Sequence, residues 1–247
     1  MTYLTDMTTP IEDRFLRNKR FDTEFDKIVP KVTWYPYVGP DFDSSKNRVM
    51  VFAHNIPIGP ESFEARVEKW KAKDTWASAL GEYTYCQERY TRAFRFFVIG
   101  SIGLTEQYGE NPDAETNDKI EALIKPISYI NFIQGLVRGE RPTQAKGERD
   151  QIESSKEINK QFLRILGITH CICWGKHVYN YLLETNGYRV VVEKPLRSTG
   201  FANAIVQTDL GNSVRILKIF HPSMPGFRPY SKDTPAIISE FLSTPTA

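Results

Sequence analysis

Cysteine is scarce in this chain: Cys86, Cys171 and Cys173 are the only three among 247 residues. So small and odd a count makes no disulfide framework, and the expected setting is a reducing cytoplasm. No apolar run approaches the roughly 18 residues that a membrane-spanning helix needs, so no membrane contact is expected. The opening MTYLTDMTTPIEDRF has no basic start followed by an apolar run and does not read as a secretory signal. There is no internal repeat and no low-complexity segment. G-x-S-x-G, a Walker loop and G-x-G-x-x-G are all missing. Nothing therefore supports an α/β-hydrolase, a P-loop enzyme or a dinucleotide-binding enzyme.

What is present reads as one folded unit. Hydrophobic residues make up 40%, charged residues 25% and aromatics 13%. That balance excludes a disordered or collagen-like chain. The length suits one domain of ordinary to large size, expected as a monomer. Net charge is only +2, but it is unevenly spread. From Gly187 to Lys232 there are seven basic residues against Glu193 and Asp209. This basic stretch either faces a polyanion or is an ordinary solvated face.

Residues 1–47 are polar and carry Pro30, Pro36, Pro40 and the cluster Trp34-Tyr35-Pro36-Tyr37. They read as an arm laid on a single domain spanning 48–247. Four short apolar runs read as strands: 48–54, 126–133, 168–174 and 214–220. Helices are expected over 62–80, 86–104 and 233–242. Another is expected from the capping box Ser154-x-x-Glu157 to Gly167, and another from Gly175 to Asn186-Gly187. The stretch from Phe63 to Asn111 is longer than a plain crossover needs. RGERPTQAKGERD reads as a long loop, and NIPIGP as a turn.

Strands alternating with helices imply βαβ units and a mostly parallel sheet. In such a sheet the ligand crevice lies outside the carboxyl ends of the strands. That places Asn55, Asn131, Trp174-Gly175 and His221 along one edge. Asn131 ends an apolar run, and a buried carboxamide uses both its donor and its acceptor. It either reads a nucleobase edge through paired hydrogen bonds or ties loops together. His221 follows VRILKIF and precedes Pro222, which biases it to an extended conformation. Its imidazole either donates to a developing anion or is a satisfied histidine at a strand end.

Four segments in order resemble the uracil-DNA glycosylase superfamily: MVFAHNIPIGP, YINFIQ, CICWGKHVYNYL and ILKIFHPSMPGF. The resemblance covers about residues 30–242. WYPYVGPDF and RGERPT are similar to a bacterial, poorly characterised subgroup. The first motif is nearest the single-strand-selective monofunctional type. The resemblance implies a three-layer α/β/α sandwich around a central, mostly parallel four-stranded sheet. It implies a monofunctional glycosylase of DNA repair that flips a deaminated base such as uracil out of single- or double-stranded DNA and hydrolyses its N-glycosidic bond. Asn55 would orient the attacking water and His221 would stabilise the departing base. Asn131 would pair with the flipped base, with His54 beside it. Pro222, Ser223, Met224 and Pro225 would form the loop that enters the duplex, with Met224 and Phe227 as wedge candidates. Tyr37, Phe63 or another aromatic would stack on the base. Arg138, Arg141 and Arg228 either contact phosphates or are surface charge.

The chain departs from the family pattern in its first motif. Ala53 stands where Gly is usual, His54 is unusual, and Asn55 replaces the Asp that activates water most strongly. An amide is no base. His54 is either that base or a residue packed at the turn. Members with an iron–sulfur cluster use four cysteines, which this chain does not have. No metal and no cofactor is expected.

Overall fold

A computed structural model of the chain describes residues 18–54, 56–58, 125–138, 149–195, 201–220 and 234–244. Its main sheet has seven strands. In chain order they are β1 (Tyr37–Val38), β2 (Val49–Ala53), β4 (Ile127–Asn131), β6 (His170–Trp174), β7 (Arg189–Pro195), β8 (Ala202–Gln207) and β9 (Ser213–Ile219). The spatial order is β1-β4-β2-β6-β9-β8-β7. A two-stranded sheet joins β3 (Ile56–Ile58) to β5 (Leu136–Arg138). Four helices are described: α1 (Asp22–Phe25), α2 (Arg149–Leu166), α3 (Lys176–Leu183) and α4 (Thr234–Ser243).

The architecture is therefore α/β, but the sheet is larger and less parallel than four apolar runs suggested. β4, β2, β6 and β9 are neighbours and pair in parallel. β1 pairs antiparallel with β4 at one end, and β8 and β7 add antiparallel ladders at the other. The sheet is mixed for a local reason. The chain between β6 and β9 includes a hairpin, and antiparallel strands need only a short connection. β7 pairs β8 across a register irregularity between Val190 and Val192.

The strand sequences explain their depth. VMVFA, HCICW and most of ISYIN are buried on both faces, as in a sheet covered on either side. β8 alternates buried and half-buried residues. Helix α2 places Ile158, Phe162 and Leu166 at four-residue spacing toward the core. It already includes Arg149, so Ser154 and Glu157 lie inside the helix and form no capping box. Its end is the glycine stop expected at 167. Gly167 has φ +60°, its N–H donates to the Arg164 carbonyl at 3.2 Å, and the Ile168 N–H donates to the Leu163 carbonyl at 2.9 Å.

Residues 18–47 contribute to the same core. Phe21, Phe25, Ile28, Val32, Tyr35, Val38 and Phe42 are buried with Met50, Phe52, Ile130 and Phe162. Phe25 meets Phe162 edge-on with ring centres 5.1 Å apart. The helices 62–80 and 86–104 lie outside the described residues. No helix among the described residues is long and apolar enough to cross a membrane.

The α4 helix covers the amino ends of β6 and β9. His170 is 1% exposed, and its ring meets Phe241 edge-on at 5.1 Å. Its Nδ1 lies 2.8 Å from the Thr169 hydroxyl oxygen. Arg215, paired with His170 across the strands, donates to the Thr244 carbonyl at 2.6 Å. Burial first, and then the charge of Arg215, hold the His170 imidazole below its ordinary pKa, partly offset by a hydrogen bond to the Thr244 backbone. The unfolded chain then binds this proton more readily than the folded one. Stability from neutral His170 is complete above about pH 6.5 and is lost as pH falls toward the lowered folded value. Urea midpoints at pH 7.5 and 5.0 should fall further apart in the wild type than in His170→Gln. Equal differences would show that His170 contributes nothing to acid sensitivity.

Candidate functional site at the carboxyl edge of the sheet

The parallel strands β4, β2, β6 and β9 present their carboxyl ends along one edge. Ala53 ends β2 and is the register partner of Asn131, which ends β4. Asn131 is 4% exposed. The chain beyond each strand stays paired. The Phe132 N–H donates to the Ala53 carbonyl at 2.8 Å, and the Ile133 N–H donates to the His54 carbonyl at 3.0 Å. NIPIGP is not simply a turn, because Ile56–Ile58 pairs in parallel with Leu136–Arg138. Both loops are thus bracketed by parallel ladders, β2 with β4 before them and β3 with β5 after them. Arg138 closes β5 rather than opening a loop.

His54 packs at the turn. Its ring stacks on His177, with centres 5.4 Å apart and planes 17° from parallel. Tyr181 lies 6.0 Å from His54 and 6.3 Å from His177. Phe132 closes the group 5.5 Å from Tyr181. Lys156 Nζ sits 6.0 Å over the Tyr181 ring, held 3.0 Å from Glu153 and 3.6 Å from Glu184. Burial, and then the Glu184 charge, raise the Tyr181 phenol above its usual pKa, so this ring stays neutral.

Successive side chains of a strand point to opposite faces, so Asn131 and its neighbour Ile130 are on different sides. Ile130 belongs to the core that α2 and α3 cover. Phe132 meets Phe52 of that core at 5.6 Å. Asn131 therefore faces the side of Tyr129 and Trp174, whose rings are 5.3 Å apart. The sheet edge brings Asn131 and His54 onto adjacent strand ends, while their side chains lie on opposite sides of the sheet.

Helix α3 starts directly at this edge. Gly175 has φ 94° and ψ 168°, a combination close to glycine-only, which turns β6 into the helix. Beyond it, Lys218 Nζ lies 5.7 Å over the Tyr179 ring, and the Tyr179 hydroxyl donates to Glu193 at 2.9 Å. Burial, then the neighbouring Lys176, lower the Lys218 pKa. Tyr37 is 1% exposed in the edge strand β1 and is a core residue.

Asn55, His221, Pro222, Ser223, Met224, Pro225, Phe227, Arg228, Arg141 and Phe63 lie outside the described residues. Phe220, the residue before His221, directly follows β9 and meets Phe201 at 5.5 Å. Cys171 and Cys173 are buried in the core, and burial pushes both thiols far up in pKa. Among the described residues no cluster of three metal-ligating side chains is present.

A cavity of about 380 Å³ opens at the other end of the sheet, between the end of α2 and the turn joining β8 to β9. Its charges pair with one another: Asp209 is 2.8 Å from Lys160 and 3.1 Å from Arg164. None of the expected site residues lines it.

The packing of His177 and Tyr181 against His54 escaped the sequence reading. Their signal was the four-residue spacing that puts both on one face of α3. By its fold the chain is a mixed α/β protein with polar residues gathered at the carboxyl edge of its parallel strands. It matches no protein-family model, and no curated protein sequence matches it.

Proposed function

We propose that this chain is a monofunctional DNA glycosylase that hydrolyses the N-glycosidic bond of uracil or another deaminated base. One observation carries the reading furthest. The motif that holds Asn55 follows β2, Asn131 ends β4, Gly175 follows β6, and His221 comes two residues after β9. These four are neighbouring parallel strands. The resemblance of the four segments to the uracil-DNA glycosylase superfamily supports the same assignment. The finer architecture we infer is a three-layer α/β/α sandwich of that superfamily's type, with DNA as partner.

The chemistry suits the residue types. Bond cleavage passes through an oxocarbenium-like sugar. The base leaves with negative charge, so an imidazole donor at His221 lowers the barrier. The Asn131 carboxamide offers one donor and one acceptor to the base edge. Asn55 orients the water but takes no proton from it. A base inside a duplex is unreachable until flipped, at a cost of a few kcal/mol. Met224 or Phe227 would fill the gap left behind, and Arg141 and Arg228 would hold phosphates. His54, packed on His177, serves in this reading to fix the turn before Asn55.

The amide at position 55 favours a second reading, a glycosylase-fold protein that binds DNA or a modified base without cleaving it. Base release separates the two. End-labelled single- and double-stranded oligonucleotides, each with one uracil, hypoxanthine or xanthine, are incubated with the protein and cleaved at abasic sites with alkali. Release from at least one of them is expected. Folded protein that binds these oligonucleotides in a salt-dependent way but releases nothing would replace the first reading with the second.

A further inference from the structure

We propose that Ser155 and Asn159 of α2 are positioning residues that hold Asn131 against the base, and so set selectivity between bases. This rests on the glycosylase reading. Five backbone groups of the three residues after Asn131 are held. Two donate to Ala53 and His54 of the neighbouring strand end. The other three are gripped from α2. Asn159 Nδ2 donates to the Phe132 carbonyl at 2.6 Å. The Gln134 N–H donates to Ser155 Oγ at 2.9 Å, and Gln151 Nε2 donates to the Gln134 carbonyl at 3.1 Å. The Trp34 N–H adds a bond to the Gln134 side chain at 3.2 Å.

Gln151, Ser155 and Asn159 stand four residues apart and form one stripe along the helix. Ser155 and Asn159 are fully buried. Asn159 is a poor choice as mere filling, because its Oδ1 has no hydrogen-bond partner among the described residues. An apolar side chain of its size would pack there without that penalty. What the amide supplies is the grip on the Phe132 carbonyl, one peptide beyond Asn131. Phe132, Ile133 and Gln134 are buried, so their backbone groups need partners in any case; drawing three of them from one helix also fixes the strand end relative to α2. A carboxamide that must meet two polar atoms of a base needs that fixity, since small misplacements cost much of an oriented interaction.

The test is a ratio. Single-turnover rates with enzyme in excess are measured on the preferred base and on the next-best base, for the wild type, Asn159→Leu, Ser155→Ala and Ser155→Thr. The ratio of the two rates is independent of how much enzyme is folded, so a merely structural role leaves it unchanged. Asn159→Leu and Ser155→Ala are expected to lower it at least roughly fivefold. Ser155→Thr, which keeps the hydroxyl, is expected to restore most of it. Gln151→Met, at a half-exposed position, gives a milder loss and serves if the buried variants fail to fold. Unchanged ratios beside a discriminating wild type overturn this inference alone. A wild type that releases no base overturns the glycosylase reading and this inference with it.

Discussion

Base release by Asn131→Ala is expected to fall at least roughly tenfold, about 1.4 kcal/mol of barrier, while the folding midpoint changes little. The Asn131 backbone is fixed by the β2 and β4 ladder and by the paired residues that follow, none of which uses the carboxamide. Truncation therefore removes the group proposed to meet the base and leaves the strand end in place. His221→Ala should fall by at least the same factor if its imidazole meets the departing base. The two losses differ in kind. The Asn131 variant loses binding and discrimination, whereas the His221 variant loses rate at saturating enzyme. Rates on one substrate at several enzyme concentrations separate them. Full activity in both variants would place the chemistry elsewhere on the chain.

Phe25→Ala should cost about 3 to 5 kcal/mol, read from urea denaturation. Phe25 is 0% exposed and lies between Phe162 at 5.1 Å and Tyr35 at 5.5 Å. The size of the effect answers a question about organisation. An arm merely laid on a finished domain would come away when its ring is lost and leave the main unfolding transition little changed. A segment that fills the core between α2 and the sheet cannot come away alone. A small loss would mean that 18–47 is an accessory and that the core closes without it.

The parts of the fold legible in the sequence were those with one dominant signal. Four apolar runs gave β2, β4, β6 and β9 within a residue or two, because most of their residues are buried and apolar, with Arg215 and Lys218 the only charges among them. Gly167 and Gly175 were legible because only glycine adopts their backbone angles without strain. The strands β1, β3 and β5 were not, being two or three residues long. β7 and β8 were hidden because RVVVEKP and ANAIVQ mix charge and amide with their valines. The start of α2 was misread because Ser154 and Glu157 match a capping pattern that position alone cannot distinguish from mid-helix polar residues.

The site shows the same division. Asn131 announced itself as an amide after an apolar run. The packing of His54 on His177 needed α3 to lie beside the β2 end, which no local spacing reveals. The stripe Gln151, Ser155 and Asn159 was invisible for a different reason. Polar residues at helical spacing read as a solvent face, and only the loop after β4 turns this one inward.

The irregularity between Val190 and Val192 bears on how the molecule behaves in a crowded solution. β7 is the outermost described strand on its side of the sheet, with Val190 39% and Val191 53% exposed. A straight valine-rich border would offer an incoming chain a ready template, and fibres could grow from it. The extra residue breaks the repeat of outward N–H and C=O groups midway along that border. Arg189 and Lys194 add charge on either side of the break. The rim keeps its valines, and the break in their periodicity is expected to disfavour edge-to-edge pairing of two such sheets.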